Sequence, residues 1–263
     1  MRVLFISRRF VRGLAAATML LAVWMVSLQL WQGQSVSVSG SAASKSIPIY
    51  SVGTDEKKVA ITFDAAWGSD STAAILDLLD QYHAKSTFFL VGYWVDSNPD
   101  MVIEIVARGH EIGNHSNTHA HMSKLSQQDI LAELADDNQK INALADQEIF
   151  LFRPPYGEWD ENLVSVAREA GFEVIQWDVD SLDWKGLSAD EILQRVKQRI
   201  QNGSIVLFHN NSDHILDGLE AVLKKLSSDG YEFVRVSDLV YPAPYDVDVN
   251  GRQHVLTAAT PVH

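Results

Sequence analysis

Short runs rich in β-branched and aromatic residues alternate with longer amphipathic stretches along most of this chain, and few folds accommodate that alternation. The apolar runs are Lys58 to Phe63, Ser86 to Val91, His110 to Asn114, Ile149 to Arg153, Phe172 to Trp177, Ser204 to His209 and Phe233 to Val236. Helical patterns separate them at Ser71 to Tyr82, Pro99 to Arg108, Ser126 to Ala143, Glu161 to Ala170, Ala189 to Gln201 and Ile215 to Ser228. A strand, a helix and a second strand pair in parallel through a right-handed crossover, so about seven repeats predict an α/β fold, a distorted (β/α) barrel of about seven strands. An open doubly wound sheet is the alternative. The barrel is favoured because Asp64, the His115 region, Arg153, Asp180 and His209 fall at or just past strand carboxyl ends, where barrel active sites assemble.

With 263 residues, 46% of them apolar, the chain can bury one sizeable core but not two full domains. Residues 47–240 are assigned to that domain. Residues 241–263 carry scattered Pro, Asp and Thr without periodicity and are expected to be a mobile tail. At the other end Arg2, Arg8, Arg9 and Arg12 precede an almost unbroken apolar run from Gly13 to Trp31. That length is close to the ~20 residues that span a bilayer, so residues 1–34 are read as a cytoplasmic basic stub and a transmembrane anchor. Residues 35–46, rich in Ser, Gly, Val and Ala, are read as a flexible tether, which puts a single-pass protein at the cell membrane with its domain outside the cytoplasm. A formal net charge of −13 argues against nucleic acid as a partner. Without cysteine, any metal must be held by His, Asp or Glu.

His115 and His119 stand four residues apart, a spacing at which one turn of helix aims both imidazoles at a single metal ion. Taken alone, the pair is equally well read as two surface histidines. Three further polar clusters give it weight: Thr62-Phe63-Asp64, Arg153-Pro154-Pro155-Tyr156-Gly157, and Asp180-Ser181-Leu182-Asp183-Trp184 with Leu207-Phe208-His209 after it. Together they describe a hydrolytic site. His83, His110 and His214 lack partners at ligand spacing and read as surface or capping residues, while His121 would point away from the helical face of His119.

Over roughly Lys57 to Leu239 these motifs, in this order, resemble those of the polysaccharide deacetylases of the NodB-homology type, carbohydrate esterase family four. The segment Thr62-Phe63-Asp64-Ala65-Ala66-Trp67-Gly68 behind an amino-terminal anchor is similar to the PdaB-like sporulation group. The resemblance implies a hydrolase that removes acetyl groups from cell-wall amino sugars, with peptidoglycan the expected substrate and chitin or xylan the alternatives. It implies Asp64 as catalytic base, His209 as general acid, and His115 and His119 as metal ligands. It further implies that the Tyr156 backbone N–H helps bind the oxyanion, Asp183 orients His209, Arg153 pairs with the carboxylates, and Trp184 and Leu207 wall the acetyl pocket. The family's first motif reads Thr-Phe-Asp-Asp, the second Asp being a metal ligand, and here that position is Ala65. Two imidazoles without that carboxylate should hold a divalent metal, zinc above others, only weakly. Substrate oxygens and water, Asp64 itself, or Asp70 could complete the shell, although Asp70 reads first as the N-cap of the next helix. Ala65 also raises the alternative function, a catalytically impaired relative that binds glycan or serves in wall assembly.

Overall fold

The computed structural model describes residues 46–256, so the basic stub, the anchor, nearly all of the tether and residues 257–263 lie outside the described residues. Among the described residues no helix is long and apolar enough to cross a membrane. In chain order the elements are β1 (Ser51–Val52), β2 (Lys58–Ala65), α1 (Thr72–Gln81), β3 (Ser86–Leu90), α2 (Gly92–Ser97), α3 (Pro99–Ala107), β4 (Glu111–Asn114), α4 (Gln127–Asn142), β5 (Leu151–Phe152) and α5 (Glu161–Glu169). They continue with β6 (Glu173–Val174), β7 (Val179–Asp180), α6 (Ala189–Lys197), β8 (Ile205–His209), α7 (Ile215–Ser228), β9 (Glu232–Phe233), α8 (Val236–Leu239), β10 (Tyr245–Val247) and β11 (Arg252–Val255).

The main sheet runs β6-β5-β4-β3-β2-β8-β7 with every pairing parallel. Its two ends, β6 and β7, are consecutive in the chain. The strands therefore go round in chain order and leave one seam, which makes a seven-stranded barrel that is incompletely closed. Residues 49–52 bridge that seam: Ile49 N donates to Val174 O, Gln176 N donates to Ile49 O, and Val52 N donates to Gly203 O.

Successive side chains on a strand point to opposite faces, and β2 shows the division. Val59, Ile61, Phe63 and Ala65 pack in the outer cluster with Ile75, Leu79, Leu219 and Leu223 of the helices. Ala60 instead joins Phe89, Leu151, Ile175 and Ile205 in an inner cluster. Burial on both faces explains why the strand reads as a nearly continuous apolar run, and each large side chain so buried stabilises the fold by about 1.5–3 kcal/mol. Helix starts are set locally: the side chains of Ser126, Asp160 and Ser188 accept from Asp129 N, Leu163 N and Glu191 N, and Ser188 with Glu191 closes a capping box.

Two expectations are corrected. The stretch from Tyr241 is not a mobile tail as far as residue 255: β10 pairs antiparallel with β11, and β11 pairs parallel with β1. The buried Gln253 amide anchors it by accepting from Tyr241 N and donating to Tyr241 O. Strands of three and four residues are too short to show a period, and their pairing partner lies at the other end of the domain. The run Phe233 to Val236 is a strand only through Phe233, because Val236 N and Ser237 N donate to Thr87 Oγ1 and Glu111 Oε2 and so start α8.

Candidate active site

Strand register assembles the site. Asp64 lies directly across from His209 on β8 and from Phe89 on β3. Asn114 pairs with Phe152, which makes His115 and Arg153 the first residues past two adjacent strand ends, and His115 Nδ1 sits 2.7 Å from the Arg153 carbonyl oxygen. Asp180 pairs with Leu207 on the far side. These ends open on a cavity of about 570 Å³ lined by Asp64, His115, His119, Tyr156, Asp183, Trp184, Leu207 and His209. Arg153 lies behind them, wholly buried.

Arg153 fixes Asp64. Its guanidinium carbon is 4.0 Å from the centroid of the Phe89 ring and 5.5 Å from that of Trp177. Nη1 donates to Asp64 Oδ1 at 2.7 Å and Nη2 to the Gln176 carbonyl at 3.2 Å. Asp64 Oδ2 is left facing His115 Nε2 at 3.6 Å. Burial pushes the Asp64 carboxyl up, but the charge and hydrogen bond of Arg153, aided by His209, outweigh it and hold the group below the ordinary carboxylate range. Asp64 is therefore ionised at neutral pH.

His209 has the opposite setting. Burial pushes its imidazole down, yet the Asp183 hydrogen bond and charge, with Asp64 and Asp180 behind them, raise it above the ordinary histidine value. Asp183 Oδ1 accepts from His209 Nδ1 at 2.9 Å, and its Oδ2 accepts from His209 N at 2.7 Å and from Ser212 Oγ at 2.8 Å. Asp180 serves both turn and cavity: its Oδ1 accepts from Leu182 N, so Leu182 can take the left-handed φ of 56° that presents Asp183.

The segment from His115 to His119 is not the helical turn that its spacing suggested. Ser116 and His119 adopt φ of 67° and 55°. Asn114 Oδ1 accepts from Ser116 N and Ser116 Oγ accepts from His119 N, each at 2.9 Å, which folds a loop that still leaves the two imidazole centroids 5.1 Å apart. Asp137 on α4 accepts from His115 N at 3.1 Å and stiffens the same loop.

Burial lowers both imidazoles, His119 to about 4 with His115 contributing, so both are neutral bases at neutral pH, as metal ligands must be. His115 is oriented by a backbone carbonyl through Nδ1, the arrangement usual behind a metal-bound histidine. His119 Nδ1 is buried without a protein partner. The two side chains thus fit a divalent cation as two of its ligands. Among the described residues no group of three His, Asp or Glu side chains is placed to hold a metal ion. Ala65 is 1% exposed and packs outward, and Asp64 Oδ1 is engaged by Arg153. Asp70 is exposed and does not line the cavity; nor does it cap α1, whose N-cap position is Ser71.

Tyr156 lies in a short 3-10 turn, Pro155–Gly157, with φ 61°. A bulky residue in that region costs about 1–3 kcal/mol, strain that clusters at functional sites. Its ring is 53% exposed, and Trp184 is 56% exposed at the same cavity, whereas Leu207 is buried. His121, expected to point away, stacks on Tyr156 with centroids 4.4 Å apart, because the chain here is a loop and not a helix. Sequence reasoning did not pick out Ser212, Gln176 or Asp137 as parts of the site. Asp137 left a signal, being an acid within the apolar stripe Ile130, Leu134, Asp137, Ile141 of α4.

Comparison with known proteins agrees with this geometry. The polysaccharide deacetylase family signature matches residues 51–175. A peptidoglycan-N-acetylglucosamine deacetylase of Bacillus cereus is 35% identical over 196 residues, spanning 73% of this chain and 92% of that protein. The crystal structure of a CE4 family pseudoenzyme from Bacillus anthracis superposes with a TM-score of 0.70 at 36% identity, over 73% of this chain and 68% of that one. A mutant of that pseudoenzyme with restored enzymatic activity is 38% identical, over 73% of this chain and 70% of that one, with a TM-score of 0.70.

Proposed function

The chain belongs to the polysaccharide deacetylase family, and from that premise we propose that it hydrolyses the N-acetyl groups of amino sugars in cell-wall peptidoglycan. The observation that carries this reading is the pairing of Asp64 with His209 on neighbouring strands, the carboxyl held below its ordinary range and the imidazole raised above its own. An amide is a poor electrophile, so its hydrolysis needs a base for water, an oxyanion site and a proton for the departing nitrogen. Asp64 Oδ2 takes the proton as water oxygen bonds to the acetyl carbon. The Tyr156 N–H donates to the acetyl oxygen, and His209 delivers a proton to nitrogen as the carbon–nitrogen bond breaks, giving acetate and a free amine. Trp184 and Leu207 wall the acetyl group. A divalent cation, zinc by preference, would be held by His115 and His119 and would supply polarisation of the water and the acetyl oxygen. With Ala65 in the position of the family's carboxylate ligand, that binding is weak.

The arginine cluster and apolar run support a domain held outside the cytoplasm on a membrane anchor, and the likeness of Thr62 to Gly68 to PdaB supports a role in sporulation. The decisive assay is acetate release from peptidoglycan fragments by the full-length protein with zinc in excess. Release confirms the reading, and its absence at saturating metal overturns it. One observation favours a second reading: Ala65 leaves the site a ligand short, and a similar structure belongs to a pseudoenzyme. A silent glycan-binding protein would retain peptidoglycan and release no acetate.

A bell-shaped pH dependence follows from the two settings. Activity needs Asp64 ionised and His119 neutral, and with Asp64 held below its ordinary range the acid limb falls first at His119, near pH 4. It also needs His209 protonated, so the alkaline limb lies above the ordinary histidine value near 6.5. Asp183→Asn removes the main group that raises His209, and the alkaline limb is expected to move to lower pH while the acid limb stays. A profile of kcat against pH that keeps its alkaline limb would remove Asp183 from this role.

A further inference from the structure

We propose that Ser212 is a positioning residue for the proton that reaches the leaving nitrogen, its hydroxyl limiting how tightly Asp183 holds His209; this rests on the deacetylase reading of the same site. The buried Asp183 carboxylate accepts four hydrogen bonds among the described residues. Its Oδ1 takes His209 Nδ1 and Trp184 N, each at 2.9 Å, while Oδ2 takes His209 N at 2.7 Å and the Ser212 hydroxyl at 2.8 Å. Two of these donors are backbone amides and one is the imidazole itself, so among the described residues Ser212 is the one other side chain that shares the carboxylate with His209. Its place is built. Asn210, wholly buried, donates from its backbone N to Asp64 O at 3.4 Å and from Nδ2 to Gly68 O at 2.8 Å and Thr72 Oγ1 at 3.3 Å. Ser212 O accepts from Ile215 N at 3.2 Å where α7 starts. The loop between β8 and α7 is thus fixed on both sides of Ser212, which holds the hydroxyl against Asp183.

The order of the three groups decides the role. The Ser212 hydroxyl proton is committed to the carboxylate and not to the imidazole, so Ser212 is not placed as a nucleophile that His209 could activate. A carboxylate behind an imidazole fixes its tautomer and stabilises its charged form. With Nδ1–H kept on Asp183, Nε2 carries the proton that passes to the departing nitrogen and leaves a neutral ring. Too strong a hold would make His209 a poor acid, and a hydroxyl that donates to the same carboxylate draws on its charge and weakens the hold. The other charged and titratable groups facing His209 are Asp64 on β2, Asp180 on β7 and, across the cavity, His115 and His119, with Asp213 on the cavity wall. A change at Ser212 removes none of them.

The test uses the full-length protein with zinc in excess and two measurements, kcat against pH and an NMR titration of the His209 ring, its signal assigned by its loss in His209→Asn. In Ser212→Ala and Ser212→Val the alkaline limb and the His209 titration are each expected to move up by roughly half a pH unit to one unit. The plateau kcat falls about two- to threefold, because a weaker acid gives up its proton more slowly, while KM and zinc affinity hold. Ser212→Thr has the shape of the Val variant but keeps the hydroxyl, and it should titrate as wild type. The direction separates this role from simple support of Asp183, whose loss would lower the limb as in Asp183→Asn. A His209 titration that stays or moves down in either Ser212→Ala or Ser212→Val, or that moves up equally in Ser212→Thr, would overturn the proposal. Absence of acetate release by wild type would overturn the deacetylase reading instead, and the NMR titration would still return one of these results for Ser212.

Discussion

Asp64→Asn is expected to lower turnover by about 10²-fold or more, because a carboxamide cannot take a proton from water. The same change reaches the fold. Arg153 is wholly buried and Asp64 is its carboxylate partner, so the variant leaves a buried cation uncompensated, at a cost of about 3 kcal/mol or more. For a domain of this size that lowers Tm by roughly 6–12 °C. The sign of the pH dependence agrees. The Asp64 pKa is depressed in the folded state, so its contribution to stability is present above the ordinary carboxylate value and is lost as pH falls through the folded one. Scanning calorimetry and acetate release on one preparation read both effects. Turnover within threefold of wild type would exclude Asp64 as the base, and an unchanged Tm would show that Arg153 does not depend on it.

Ala65→Asp is expected to tighten divalent-metal binding at least about tenfold, the low end of what even an outer-sphere partner of a metal site contributes. Position 65 is the last residue of β2, beside Leu90, and Leu90 O accepts from His115 N, so a carboxylate there sits one residue from the histidine loop. Without metal the same carboxylate is buried against apolar neighbours, and the variant should be less stable than wild type. With zinc it should recover, and the rise in Tm on adding zinc should be larger than in wild type. Titration calorimetry decides the affinity. Equal Kd for the two proteins would mean that the carboxylate does not reach the imidazoles.

What could be read in advance was what depends on short range. Strand β2 declares itself through seven successive buried residues, Val59 to Ala65, that face both sides of the sheet, and α4 to α6 through Ser126, Asp160 and Ser188 at their starts. The polar positions at the strand ends could be read for the same reason, since a strand's period says where it stops. What stayed hidden depends on side chains from distant segments. The histidine loop takes its shape from Asn114 and Asp137, the stacking of His121 on Tyr156 needs two separate loops, and β11 needs β1. Ala65 shows the limit most clearly: its identity names a missing ligand, while its outward packing emerges only from the pleat of β2.

The bridge across the barrel seam sets where this domain can be cut. Ile49 satisfies the free edge of β6 through Val174 and Gln176, and the Gln176 carbonyl in turn receives Arg153. The family signature starts at residue 51, two residues too late to include that bridge. A clone begun there would expose a raw strand edge, the template on which copies of a chain aggregate, directly beneath the guanidinium that holds Asp64.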